Sequence, residues 1–140
     1  MNDWNAYYMA MAQAARLKSK DTTQVGALLV RPNRTIAATG YNGFPQQIGD
    51  HSERLRNREL KYRYMIHAEQ NCLHFCAENA TGYSMYVTMS PCHECAKSII
   101  QRGVAHVYCP PLDNERWVES CQWARDMLRE AGVNYTETTH

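Results

Sequence analysis

Between Trp4 and Leu17, Tyr7, Met11, Ala14 and Ala15 fall at helical spacing, and Asp3 stands where a helix cap belongs. The polar loop "SKDTT" follows. The runs "VGALLVR" and "TIAATGY" then read as two strands joined by a turn at Pro32–Asn33–Arg34. "NGFPQQIGD" is a long loop whose glycines and proline allow close backbone approach. "SERLRNRELKYRY" is heavily charged; as a helix it has one thin apolar edge, which suits the surface or a subunit contact. A helix is predicted from His67 to about Ala80, then a strand at "MYVTM", a helix at "CHECAKSIIQRG" and a strand at "VAHVYC". The last helix runs from about Glu115 to Ala131, stopped by Gly132, and "VNYTE" is a final strand. A strand hairpin followed by helix–strand alternation predicts an α/β three-layer sandwich. Crossover helices before and after "VAHVYC" favour parallel pairing there.

The length of 140 residues suits one domain, 1–140, with one core. Net charge is +1, from 15 basic and 14 acidic residues, which gives no electrostatic reason for nucleic acid or an anionic membrane to be the main partner. No apolar run is long enough to span a bilayer, and the first residues lack the basic cluster and apolar core of a signal peptide. The expected setting is therefore cytoplasmic. There the six cysteines (Cys72, Cys76, Cys92, Cys95, Cys109 and Cys121) are better explained by metal ligation or burial than by disulfides.

Cys92 and Cys95 stand three apart at the start of a predicted helix, with Pro91 at its first turn. That spacing puts both sulfurs on one face, and a helix N-terminus favours the thiolates that bind metal. His67, at the start of another helix, is the natural third ligand. One histidine and two cysteines leave the fourth position of a zinc ion open, as in a catalytic site. Glu69 can approach that position because side chains at a helix start project past its end. A carboxylate beside metal-activated water can shuttle its proton. H-x-E upstream of P-C-x-x-C is the signature of the zinc deaminases, where the glutamate is acid and base rather than ligand. A closed zinc knuckle, or buried cysteines without metal, has no use for Glu69.

The segments "SKDTTQVGALLV", "GYNGFP", "KYRYMIHAEQN", "MYVTMSPCHECAKSIIQRG" and "AGV", spread over nearly the whole chain, resemble the deoxycytidylate (dCMP) deaminase family in order and composition. "HAE" with "PC-x-x-C" marks only the wider superfamily; "SKD-x-x-QVGA" and "GYNG-x-P" point to this branch. The resemblance implies a five-stranded mixed sheet flanked by helices and conversion of dCMP to dUMP with release of ammonia. It implies zinc on His67, Cys92 and Cys95, Glu69 as the catalytic acid/base protonating N3 of cytosine, and the base edge held by backbone groups at Ala68 and near Ser90–Pro91. Asn42 would bond the deoxyribose; the alternative is a turn residue with left-handed dihedrals. Ser19, Lys20, Thr22 and Thr23 offer a phosphate cradle, or else a solvated loop. Arg116 is a further phosphate candidate, placed before the last helix where some family members carry an arginine. "CPPLDNERW" departs from the family pattern there, and Trp117 reads as a packing residue.

The resemblance also implies a homohexamer, activated by dCTP and inhibited by dTTP with Mg²⁺. The loop from Asn42 and the following "HSERLRNR" would then form part of an effector site with Asn42, Gly43, Asp50 and Arg54, the alternative being a mobile insertion with a solvated charged face. Cys72 and Cys76 read as small buried residues rather than a second metal site, with His74 pointing away from both. Cys109 and Cys121 read as core or interface thiols, His93 as surface or pocket rim, and Met9, Met11, Met65, Met85 and Met89 as packing. His51, His106 and His140 carry no spacing signal. Three rival readings remain: a nucleoside cytidine deaminase, a tRNA adenosine deaminase, and a zinc module that binds nucleotides without turnover.

Overall fold

The computed structural model describes residues 3–112 and 115–139; His140 and two positions of "CPPLDNERW" lie outside the described residues. The first helix, α1 (Trp4–Arg16), starts where Asp3 caps it, its carboxylate accepting the Asn5 N–H at 2.9 Å. The buried face of α1 is Tyr8, Met9 and Ala12, whereas Tyr7 of the predicted stripe is exposed. Apolar residues lie on both sides of this helix, so periodicity leaves the inward stripe open and contact with the sheet selects it. Tyr8, Met9 and Ala12 pack on Leu28, Val30 and Tyr86.

The sheet holds β1 (Gly26–Val30), β2 (Ile36–Tyr41), β3 (Ser84–Val87), β4 (His106–Cys109) and β5 (Asn134–Glu137) in the order β2-β1-β3-β4-β5. β1 pairs antiparallel with β2 and β3; β3, β4 and β5 run parallel, as the crossover helices required. All five residues of β1 are buried, since both of its faces are covered. On the face opposite α1, the helices α4 (Ala68–Phe75), α5 (His93–Gln101) and α6 (Val118–Glu130) pack Leu73, Ile99 and Leu128 against Leu29, Val87 and Val107. The result is the expected sandwich of three layers around a five-stranded mixed sheet.

Boundaries differ from expectation where a capping residue intervenes. The charged segment is two helices, α2 (Ser52–Arg56) and α3 (Arg58–Tyr64), because Asn57 takes extended dihedrals and its side chain accepts the Leu60 N–H at 3.2 Å. Asparagine caps a helix better than it continues one. α4 ends at Phe75, well short of Ala80, since Asn79 turns the chain by accepting the Thr81 N–H at 2.9 Å and Gly82 sits at φ +84°. Arg102 then donates to the carbonyls of Leu73 (2.6 Å) and Glu78 (3.0 Å), tying the end of α4 to the turn that follows it. Cys92 is the cap of α5, so Pro91 precedes the helix instead of occupying its first turn. Glu115–Trp117 forms a 3-10 turn ahead of α6. No helix among the described residues is long and apolar enough to cross a membrane.

Gly40 fixes how β2 meets α4. A Cβ there would stand 2.4 Å from the Cys72 nitrogen and 2.5 Å from the Ala68 oxygen, both backbone atoms that cannot yield without moving the helix. Gly40→Ala is expected to destabilise the protein by about 2 kcal/mol, a fall in Tm of roughly 8 °C. An unchanged melting curve would show that α4 can shift freely.

Candidate active site

Two helix N-termini converge on one point. His67 caps α4 with extended dihedrals (φ −68°, ψ 154°), and Cys92 caps α5 in the same way (φ −81°, ψ 169°), with Cys95 in the first turn behind it. His67 Nδ1 lies 3.2 Å from Cys95 Sγ and 3.4 Å from Cys92 Sγ, and the three donor atoms fall within 4.8 Å of one another. The cap geometry also explains the two-residue spacing of His67 and Glu69. A residue outside the helical dihedrals is released from the 100° rotation per residue, so both side chains reach the same site.

Each member of the cluster is strongly perturbed. The Cys92 sulfur, hydrogen-bonded by Cys95 and His67, is lowered to about 4 despite its burial, while the Cys95 thiol is pushed up by sharing its proton with Cys92 and by burial. His67 is raised to about 8, chiefly by its bond to Cys92. Burial raises the Glu69 carboxyl to about 7, and the side chain is only 4% exposed. One imidazole and two sulfurs on helix N-termini, with a buried carboxyl alongside, match the donor set of an open zinc site.

His67, Glu69 and Cys92 form one wall of a cavity of about 160 Å³. Asn42, Ala68, Ser90 and Arg116 of the predicted substrate residues line it. Pro91 is buried behind it, and Lys20 and Thr22 stand apart: Lys20 Nζ pairs with Asp50 at 2.7 Å, and the exposed Thr22 bonds Asp21 at 3.3 Å. The loop "SKDTT" turns Asp21 and Thr23 to the cavity instead, because Asn42 ties it down. Asn42 accepts the Val25 N–H (2.9 Å) and donates to the Thr23 carbonyl (2.8 Å) and Asp21 (3.3 Å). Its φ is not positive, so it is not the left-handed turn residue of the alternative reading.

Several lining residues carry no motif. Lys61 pairs with Asp21 at 3.0 Å, and Tyr62 receives a 2.8 Å hydrogen bond from Arg116. Both lie in the charged segment expected at the surface, where α3 has no buried residue, and they border the cavity from its rim. Trp117, read as packing, lines the cavity, as do Met65, Met89 and Cys121. His93 turns away from the cluster to Ser120, and Cys72 is buried and helical, belonging to no metal-binding group among the described residues.

A second cavity of about 110 Å³ shares Asn42 and Asp21 with the first and is lined by Gly43, Lys20 and Asp50 of the predicted residues. Arg54 lies outside its lining; its guanidinium donates to the Gly49 carbonyl at 2.9 Å and stacks over Tyr64 at 4.9 Å.

The family model for the cytidine and deoxycytidylate deaminase zinc-binding region matches residues 2–110. An uncharacterized deaminase in the luxG 3′ region of Aliivibrio fischeri is 38% identical over 140 residues, covering 97% of this chain and 94% of its own. The deoxycytidylate deaminase of Homo sapiens is 40% identical over 142 residues, covering 95% of this chain and 78% of its own. A crystal structure of the dCMP deaminase from cyanophage S-TIM5 with dCMP and dUMP superposes with a TM-score of 0.80 at 28% identity, over 99% of this chain and 98% of that one.

Proposed function

We propose, since this chain belongs to the zinc-binding cytidine and deoxycytidylate deaminase family, that it hydrolyses dCMP to dUMP and ammonia. The observation that carries the reading is the buried Glu69 carboxyl held against the His67–Cys92–Cys95 cluster at the wall of a cavity. Zinc held by those three residues would supply the acidity that makes water a nucleophile near neutral pH. Glu69 takes the first proton of that water and delivers it to N3 of cytosine, where it stays in the product. As oxygen adds to C4, the second water proton passes through Glu69 to the amino group, which leaves as ammonia while C4 becomes a carbonyl. The Ala68 N–H, one of the donors left open at the start of α4, faces the base edge together with the Ser90 segment.

Arg116, Tyr62 and Lys61 support a phosphate subsite, being cationic or hydroxyl groups on the cavity wall. Asn42 uses one lone pair of its Oδ1 on Val25, which leaves the second for a sugar hydroxyl. The reading extends to a homohexamer activated by dCTP and inhibited by dTTP with Mg²⁺. It is supported by the second cavity, where Gly43 and Asp50 adjoin Asn42 of the first. None of the six cysteines is held in a disulfide, which suits a cytoplasmic setting.

Ammonia release from zinc-loaded protein is expected to favour dCMP over cytidine and dCTP. Arg116→Gln is expected to raise KM for dCMP roughly tenfold, the equivalent of one charge-assisted hydrogen bond, and to leave cytidine unaffected. Equal losses on both substrates would remove Arg116 from the phosphate subsite, and turnover of cytidine alone would favour the nucleoside enzyme. Saturation curves unaltered by dCTP and dTTP, or a sedimenting mass below six chains, would remove the regulatory part.

A further inference from the structure

Resting on the deaminase reading above, we propose that α6 and β5 form a clamp that positions the Ser90–His93 turn, through Ser120, Cys121 and Tyr135. The turn carries the Cys92 ligand and the cavity wall at Ser90. The segment matched by the family model ends at residue 110, so all three clamp residues lie beyond it.

The turn is gripped on both sides of Cys92. Upstream, the Ser90 hydroxyl lies 3.3 Å from the Tyr135 hydroxyl on β5, and that hydroxyl accepts the Cys109 thiol at 3.2 Å. The Ser90 carbonyl accepts the Cys121 thiol from α6 at 3.5 Å. Downstream, the His93 N–H donates to Ser120 Oγ at 3.0 Å, and the same oxygen lies 2.7 Å from His93 Nδ1.

The last pair holds the start of α5. Cys92 occupies the cap position of α5, but its side chain makes no capping bond. Its sulfur is turned to the cluster instead. Ser120, on a different helix, accepts the His93 N–H, one of the donors that a helix start leaves without an intrahelical partner. Between the two grips stand only Pro91, whose ring holds φ, and Cys92 itself. The placement of the Cys92 sulfur and of the Ser90 wall thus follows from where α6 and β5 sit. The grips are polar and converge on one turn, apart from the apolar packing of Ala124 and Leu128 farther along α6. Catalysis is sensitive to such placement: a displacement of about 1 Å costs about a hundredfold.

The test is a double-mutant cycle on the zinc-loaded enzyme. Tyr135→Phe removes one hydroxyl and is expected to lower kcat/KM for dCMP roughly tenfold at unchanged zinc content. Placed on Ser90→Ala, the same change is expected to cost less than about twofold, because its route to the site is gone. Cys121→Ala is expected to lower kcat/KM, and Cys121→Ser, which keeps a donor for the Ser90 carbonyl, to restore most of it. Effects of Tyr135 that multiply in full on the Ser90→Ala background would overturn the clamp. A second reading needs no substrate: in cobalt(II)-substituted protein, Tyr135→Phe and Ser90→Ala should each shift the thiolate-to-cobalt charge-transfer band, and the double variant no further than the larger single shift. An unmoved band, or additive shifts, overturns the clamp. A wild type inactive on dCMP overturns the activity reading alone, and the cobalt spectra still decide the positioning.

Discussion

Glu69→Gln is expected to lower kcat by about three orders of magnitude, equivalent to about 4 kcal/mol on the barrier, while zinc content stays at the wild-type level. The substitution keeps the volume of the side chain and its capacity to hydrogen-bond, but an amide cannot take a proton from water and hand it on. The carboxyl is buried, with no other described carboxylate lining the adjacent wall except Asp21, which is paired with Lys61. No neighbour is placed to substitute for it. The fold should not suffer, and the sign can be worked out for the metal-free protein. The unfolded chain releases this proton near 4.5 and the folded chain near 7, so folding holds the proton more tightly. Wild-type stability attributable to Glu69 therefore declines as pH rises through that window. The glutamine variant lacks this decline and is expected to melt no lower than wild type at pH 8. Stopped-assay rates and melting curves on the same preparation check both statements. Activity within tenfold of wild type would remove Glu69 from the proton path.

Cys92→Ala is expected to lose the metal and, with it, detectable turnover. Three protein donors hold the site, and Cys92 is the sulfur whose surroundings most favour the thiolate. Without it, His67 and Cys95 are two donors on separate helices, one of them a thiol whose proton is held more firmly by burial. Zinc binding and folding are coupled in such sites. Chelator-treated wild type and Cys92→Ala should therefore melt alike, and both below zinc-loaded wild type. Metal analysis and calorimetry decide this. Full zinc occupancy in the variant would mean that a fourth protein ligand exists.

The chemistry of the site was written in short spacings. His67 and Glu69 two apart at a helix start, and Cys92 and Cys95 three apart at another, state the donor types, their faces and the open position without reference to the rest of the fold. The strand hairpin and the parallel order of β3, β4 and β5 were equally plain, since each strand is bounded by turn residues or by a crossover helix. The cavity walls were not. Lys61 and Tyr62 read as part of a solvated helix face, and no residue of α3 is buried; that this face borders the cavity follows only from its contacts with Asp21 and Arg116. Asn42 reads as a ligand for a sugar or a turn former, and neither reading shows that its amide fastens the loop through Asp21, Thr23 and Val25. Lys20 was read with the phosphate, but the same fastening turns it to Asp50. Cys121 carries no spacing signal at all, because its partner, Ser90, is 31 positions away.

The sequence by itself determined what is local: which side chains can hold a metal, which can move a proton and which strands pair in parallel. These depend on backbone periodicity and on intervals of two to four residues, where the covalent chain sets the geometry. Tertiary structure alone decided which face of α1 turns inward, which loop side chains reach the cavity and what holds the Ser90–His93 turn. Those contacts join segments distant along the chain, and their distances are set by how the layers pack on the sheet rather than by the residues that happen to be neighbours in sequence.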